Sequence, residues 1–269
     1  MTSIDTAIRR EGADVVVEGG VAEITLNRPE LMNRVDATLH QVLPDLFEEL
    51  DKDPSVRAIV LASTGRVFSA GGDFELMLQS HHDQLARFES YERGKRLVRS
   101  VLNVHAPVVV ALHGDVYGVG ATLTLNTDAV VSAPGVKIAD PHVQIGLVAG
   151  DGGVVAWPAA AGIMRARRHL LTGDPVLAED AYAWGMISDL VDTAEEVLPA
   201  ARALAHRIAS LPPLAVQGTK RSLARLSMAR VYEVLDYSFA QQSITSASDD
   251  LLEAIAAFRD KREPRYQGR

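Results

Sequence analysis

Thr64-Gly-Arg-Val-Phe-Ser-Ala-Gly-Gly-Asp73 follows Arg57 to Ser63, an apolar run that reads as a buried strand. Adjacent glycines at a strand exit let the backbone turn sharply and aim its N–H groups at a ligand. The residues beyond, 74–103, are patterned as helix, with a break expected at His81-His82. Upstream, Asp36 suits the N-cap of a helix running to about Leu50, apolar at Leu39, Val42, Leu43, Leu46, Phe47 and Leu50. Pro44 within it predicts a kink or a late start. Helix, strand and helix in alternation imply parallel β pairing through crossovers.

Further out, a second apolar strand, Pro107 to Leu112, ends in another small-residue exit, Gly118-Val119-Gly120, where a helix should start. Neither exit carries the Gly-Lys-Ser/Thr of a nucleotide loop, and the pair near 118 lacks the third glycine of a dinucleotide loop. Two loops of this kind are either unremarkable turns or the two halves of an oxyanion hole, free N–H groups converging on one carbonyl oxygen. Asp14 to Glu18 and Val21 to Asn27 read as strands around the hairpin signal Gly19-Gly20. Ala129 to Ser132, Val136 to Ala139 and Ile187 to Val191 read as further strands. From Thr193 the pattern is helical to the end, divided at Pro212-Pro213. The layout is an α/β core over residues 1–192 and a helical region over 193–269.

Bulk properties narrow the function classes. A formal net charge of −8 speaks against nucleic acid or an anionic membrane as partner, since both call for a basic stripe. The absence of cysteine removes disulfides, thiolate metal sites and thiol nucleophiles, and fits a reducing, cytoplasmic setting. Apolar runs of spanning length are missing, and so is a signal-peptide core at the N-terminus. His81 and His82 have no evident third ligand, and no metal is expected.

The candidate chemistry lies in Asp140-Pro-His-Val-Gln-Ile-Gly-Leu-Val-Ala-Gly-Asp-Gly-Gly153. Histidine is the side chain whose ordinary pKa lies nearest neutrality, and a carboxylate beside it can fix its tautomer. His142 and Asp151 form such a pair. The plainer alternative makes Asp151 the N-cap of the following helix and His142 a half-buried core residue.

Taken in order, these pieces resemble the crotonase (enoyl-CoA hydratase/isomerase) superfamily over nearly the whole chain. Ile24-Thr-Leu-Asn-Arg-Pro-Glu30 with Asn33 is similar to its opening strand, Phe68 to Asp73 to its first oxyanion loop, and Pro107 to Asp128 to its second loop and helix. Leu171-Thr-Gly-Asp174, Ala178 to Gly185, the strand near Ile187, and Lys220 after Pro213 complete the likeness. The resemblance implies a spiral of ββα turns with a helical C-terminal trimerisation region, and homotrimers or hexamers. It implies that the N–H groups of Gly72 and Val119 polarise a thioester carbonyl, with Ala70, Gly71, Asp73, Gly118 and Thr122 around the substrate. It also implies coenzyme A as part of the substrate and no separate cofactor. Arg28 falls where the family meets the nucleotide end of that molecule, and Arg34 either binds a phosphate there or fills the space.

The sequence also departs from the family. Its hydratases use two glutamates, and those positions hold Thr122 and His142, so two-carboxylate hydration is not expected. His142 and Asp151 instead resemble the pair of the superfamily's β-diketone hydrolases, in which His142 would deprotonate water and Asp151 would orient it. That type carries a further histidine where this chain has Val119. The expected activity is enolate stabilisation with His142/Asp151 acid–base chemistry on an acyl-CoA or β-dicarbonyl substrate, as hydrolase, isomerase or atypical hydratase. The alternative is a catalytically inactive acyl-CoA binding protein. Glu75, Glu89 and Glu92 lie in a segment that could supply a second acid, although glutamates on helices are mostly solvated surface.

Overall fold

A computed structural model describes residues 6–269. The strands are β1 (Thr6–Arg10), β2 (Ala13–Glu18), β3 (Val21–Leu26), β4 (Ala58–Ser63), β5 (Val108–Leu112), β6 (Val116–Tyr117), β7 (Ala129–Ser132), β8 (Lys137–Ala139), β9 (Val176–Leu177) and β10 (Asp189–Leu190). The helices are α1 (Ala37–Asp51), α2 (Phe74–His82), α3 (Gln84–Asn103), α4 (Gly118–Leu125), α5 (Gly153–Ala161), α6 (Ile163–Thr172), α7 (Ala178–Trp184), α8 (Ala194–Ala209), α9 (Pro213–Ser246) and α10 (Asp249–Asp260).

A seven-stranded sheet has the order β1-β2-β3-β4-β5-β7-β10, and a three-stranded sheet the order β6-β8-β9. The first three strands are an antiparallel meander. From β3 onward the main sheet is parallel, as the alternation with helices requires. The central strands are buried along their length, and β5, Val-Val-Val-Ala-Leu, is buried at every residue. The result is a mixed α/β core with a helical C-terminal region, the layout that the resemblance implies.

Layering follows from the apolar stripes. α1 puts Leu39, Leu43, Leu46, Phe47 and Leu50 into the main core, and Asp36 caps it by accepting the Leu39 N–H at 3.1 Å. The helix runs through Pro44, which lies among its buried residues. On the opposite sheet face, α8 lays Val197, Ala201, Ala205 and Ala209 against Val60, Val109 and Val131. The first helix beyond residue 192 therefore packs on the sheet and does not stand apart from it.

Local readings shift at three places. β1 adds a strand before the hairpin, paired with β2. The break expected at His81-His82 falls one residue later, at Asp83, whose carboxylate accepts the Leu85 N–H at 2.8 Å and so starts α3. The last helix ends at Asp260, and the remaining residues to 269 are irregular.

Candidate active site

The two glycine-bearing exits meet. Gly71 has φ +87°, and a side chain there would lie 2.8 Å from the Tyr117 carbonyl oxygen and 3.5 Å from the Gly118 nitrogen. Gly118 also has positive φ, at +50°. Only residues without a Cβ allow both turns and their contact. The Val35 N–H donates to the Gly71 carbonyl at 2.7 Å, which ties the first loop to the strand-like segment before α1. Among the described residues the Gly72 N–H makes no hydrogen bond in its loop. The Val119 N–H belongs to the first turn of α4, whose N-cap, Tyr117, provides no side-chain acceptor. Gly72 and Val119 line one small cavity together with His142 and Asp151. An oxyanion hole needs two such donors beside one space.

His142 opens a short 3₁₀ turn, His142–Ile145, directly after Pro141. Its imidazole is held from both ends by carboxylates. Nδ1 meets Asp140 Oδ1, and Nε2 lies 3.4 Å from Asp151 Oδ2. Thr122 Oγ1 donates to the other Asp151 oxygen at 3.4 Å. Asp140, His142 and Asp151 are all buried. Carboxylates only accept when ionised, so an imidazole placed between two of them is asked to donate from both nitrogens, which is the imidazolium. Burial alone disfavours that charge, but Asp140 first and Asp151 second outweigh it, and the His142 pKa is pushed up to about 10. The Asp151 carboxyl is also pushed up, by burial and by Asp140, against the pull of His142.

The sequence assigned Asp151 to orient His142. The orienting place at Nδ1 belongs to Asp140, and Asp151 stands on the opposite side, facing the cavity. Asp151 is not a helix cap either, because the N-cap of α5 is Gly152, at φ +109°, with no side-chain cap. Gly153 opens α5 against Asp140, so closely that a Cβ there would lie 2.2 Å from Asp140 Oδ2. Sequence reading passed over Asp140. The available signal was a carboxylate two residues before the histidine, with a proline between them to bend the chain.

Asp140, His142 and Asp151 also offer ligand atoms within 4.8 Å of one another. With Asp140 committed to Nδ1, a cation would find two ligands, Nε2 and Asp151, whereas catalytic zinc sites are commonly built on three from the protein. A shared proton suits the pair better.

Two spaces meet at this cluster. The inner cavity, of about 60 Å³, includes Asp151, Val119, Leu147 and Phe239 in its walls. An outer channel of about 760 Å³ runs between Ala70, Gly71, Phe74 and Tyr117 on one side and α10 and the C-terminal segment on the other. His142 and Gly72 line both spaces and so mark their junction.

Other predicted residues fall as follows. Asp73 caps α2 by accepting the Leu76 N–H at 2.9 Å, and it pairs with Arg34 Nε at 2.6 Å. Arg34 lines the outer channel. Arg28 is not brought there: its guanidinium grips Asp36 through two nitrogens, at 2.7 and 2.9 Å. Glu75 lines the channel paired with Arg259, whereas Glu89 and Glu92 are exposed on α3 and pair with Arg93 and Lys95. Tyr117 bonds Asp115, and Trp157 is core.

The family model described as enoyl-CoA hydratase/isomerase matches residues 17–269. The chain belongs to the enoyl-CoA hydratase/isomerase family. It is similar to the 1,2-epoxyphenylacetyl-CoA isomerase of Escherichia coli K12, 32% identical over 94% of this chain and 97% of that protein. It is also similar to the carnitinyl-CoA dehydratase of Proteus mirabilis, 30% identical over 95% and 98% of the two chains. Among solved structures, an enoyl-CoA hydratase/isomerase from Mycobacterium paratuberculosis superposes with a TM-score of 0.87 and 35% identity over 92% of this chain and 98% of that one. As a member of the enoyl-CoA hydratase/isomerase family the chain is an enzyme. Among the described residues, no helix is long and apolar enough to cross a membrane.

Proposed function

We propose that this enzyme moves a proton on the acyl group of a coenzyme A thioester through an enolate, in the manner of a double-bond isomerase. The Gly72 and Val119 N–H groups hold the thioester oxygen, Asp151 takes the proton from one carbon and returns it to another, and His142 supports Asp151. The observation that carries this reading is the setting of Asp151: a buried carboxyl with its pKa raised, in the cavity that Gly72 and Val119 share. A general acid–base works best when its pKa lies near the working pH, and burial moves a carboxyl in that direction.

This assignment reverses the roles expected from sequence. An imidazolium held at a pKa of about 10 is a poor base toward water, which counts against hydrolysis initiated by His142. It is well suited to balancing the charge of Asp151 as the proton leaves and returns. Thr122, which stands where the family's hydratases have a glutamate, hydrogen-bonds Asp151 instead of acting as an acid. One proton-carrying group suffices for an isomerisation, whereas addition of water must also deliver a hydroxide. The outer channel takes the pantetheine arm in this reading, with Arg34 and Arg259 at its wall.

The test is a panel of CoA thioesters in D₂O and in H₂¹⁸O. A 3-enoyl-CoA should be converted to its conjugated 2-enoyl isomer, seen as a rise in conjugated-thioester absorbance, with no ¹⁸O and with deuterium, where Asp151 exchanges with solvent, confined to the acyl chain. Incorporation of ¹⁸O into the main product, with no isomerisation, would overturn the proposal in favour of hydration or hydrolysis.

A further inference from the structure

The inner cavity is not the plain apolar slot that a saturated acyl chain would select. α1 and α9, which flank it, each bring a polar side chain into its wall, His40 and Gln242. Both are more than nine-tenths buried. Among the described residues His40 Nδ1 and Gln242 Oε1 have no hydrogen-bond partner. A buried polar atom left unpaired is costly, and native structures rarely tolerate it without a reason. Here the two belong to residues that line one cavity of about 60 Å³.

Their surroundings hold them in place. Gln242 packs against the turn that carries Asp151: a Cβ on Gly150 would lie 2.7 Å from Gln242 Cβ and 2.8 Å from its Oε1. α9 is thereby fixed to the catalytic turn, and Ser238, one helical turn earlier, donates to the Gly150 carbonyl at 2.8 Å. Two other polar groups of the wall are already occupied, since Tyr91 and Ser246 pair with each other at 2.6 Å. Full burial, with Arg93 adding to it, pushes His40 down to about 4, so its ring is neutral at physiological pH. A neutral imidazole and a carboxamide each offer both a donor and an acceptor. A hydroxyl can match either one.

We propose that the acyl cavity recognises an oxygenated acyl group, one whose hydroxyl hydrogen-bonds His40 and Gln242, in preference to a plain alkyl chain. The inference rests on the thioester reading above and adds the substrate class to it. Its physical basis is an asymmetry: a site built to hydrogen-bond a substrate hydroxyl rejects the analogue that lacks it, because the site's own polar groups stay unpaired.

The test is calorimetric binding of matched CoA esters: butanoyl, pentanoyl and hexanoyl against 4-hydroxybutanoyl, 5-hydroxypentanoyl and 6-hydroxyhexanoyl. At least one hydroxylated member should bind about tenfold or more tightly than its plain counterpart. His40→Leu and Gln242→Leu should each bring that ratio toward one, with circular dichroism checking that the variants fold. Equal binding of both series by the unaltered protein overturns the inference and leaves the thioester reading standing. If no CoA ester binds, the thioester reading fails, and the cavity is judged separately with the free hydroxy acids and the plain acids, read through the ¹⁵N resonances of the His40 ring. Shifts with the hydroxy acids alone support the inference; shifts with both series or with neither overturn it.

Discussion

Asp140→Asn removes one negative charge and almost no volume from the centre of the cluster. The Asp140 side chain is fully buried, with one oxygen on His142 Nδ1 and the other pressed against Gly153. Raising an imidazole from 6.5 to about 10 requires a preference for the charged form on the order of 5 kcal/mol. That preference is the surplus of two carboxylates over burial, which alone drives His142 the other way, and Asp140 is the larger of the two. Replacing it should therefore forfeit at least half of the surplus, roughly 2–3 kcal/mol, and make His142 neutral at pH 9. The direct assay is an NMR titration of the His142 ring in both proteins.

Stability supplies a second readout with a definite sign. Because the folded-state pKa of His142 is raised, its contribution is fully present below the unfolded value of 6.5 and is lost as pH rises through about 10. Asp151, also raised, acts in the same direction. Denaturant unfolding of the unaltered protein should show stability falling between pH 6.5 and 10, and Asp140→Asn should flatten that fall. A His142 ring that still titrates near 10 in Asp140→Asn would refute the reasoning, because the charge credited with holding the proton would be gone.

Further expectations can be checked alongside. Gly71→Ala forces an L side chain to φ +87° and a contact of 2.8 Å with the Tyr117 carbonyl, so chemical denaturation should show a loss of about 1–3 kcal/mol, and kcat should fall as the two loops part. Arg34→Ala and Arg259→Ala, in the wall of the outer channel, should raise KM for a CoA ester several-fold with kcat little changed, and less so at high salt. α9 exposes Leu214, Leu223, Leu226, Tyr232, Tyr237 and Ile244, more apolar surface than one helix normally leaves in water. That surface calls for a partner, so light scattering should find an oligomer, a trimer or hexamer as the family resemblance implies, and a monomer at micromolar concentration would contradict it.

The two glycine-bearing exits were legible in sequence because the backbone at Gly71 and Gly118 takes positive φ, which only glycine adopts easily. The parallel sheet was legible because apolar strands alternate with patterned helices. Asp140 was not, since a carboxylate two residues before a histidine has no fixed geometry until the turn after Pro141 folds the ring back onto it. Arg28 misled for a related reason: its partner Asp36 also caps α1, and nothing in the spacing reveals that one carboxylate performs both tasks. His40 and Gln242 sit within helical stretches whose apolar patterning hides which polar residues face inward. Their roles depend on packing between helices far apart in the chain.

The central claim is that Asp151 carries the proton. The most direct measurement is the rate of 3-enoyl-CoA isomerisation by Asp151→Asn, which keeps the shape and the contact with Thr122 but cannot take up a proton. Loss of about 10²–10⁴-fold in kcat, with the affinity for the CoA ester retained, is the predicted result. An Asp151→Asn enzyme that turns over at the unaltered rate, while His142→Gln does not, would return the chemistry to the histidine and contradict the account.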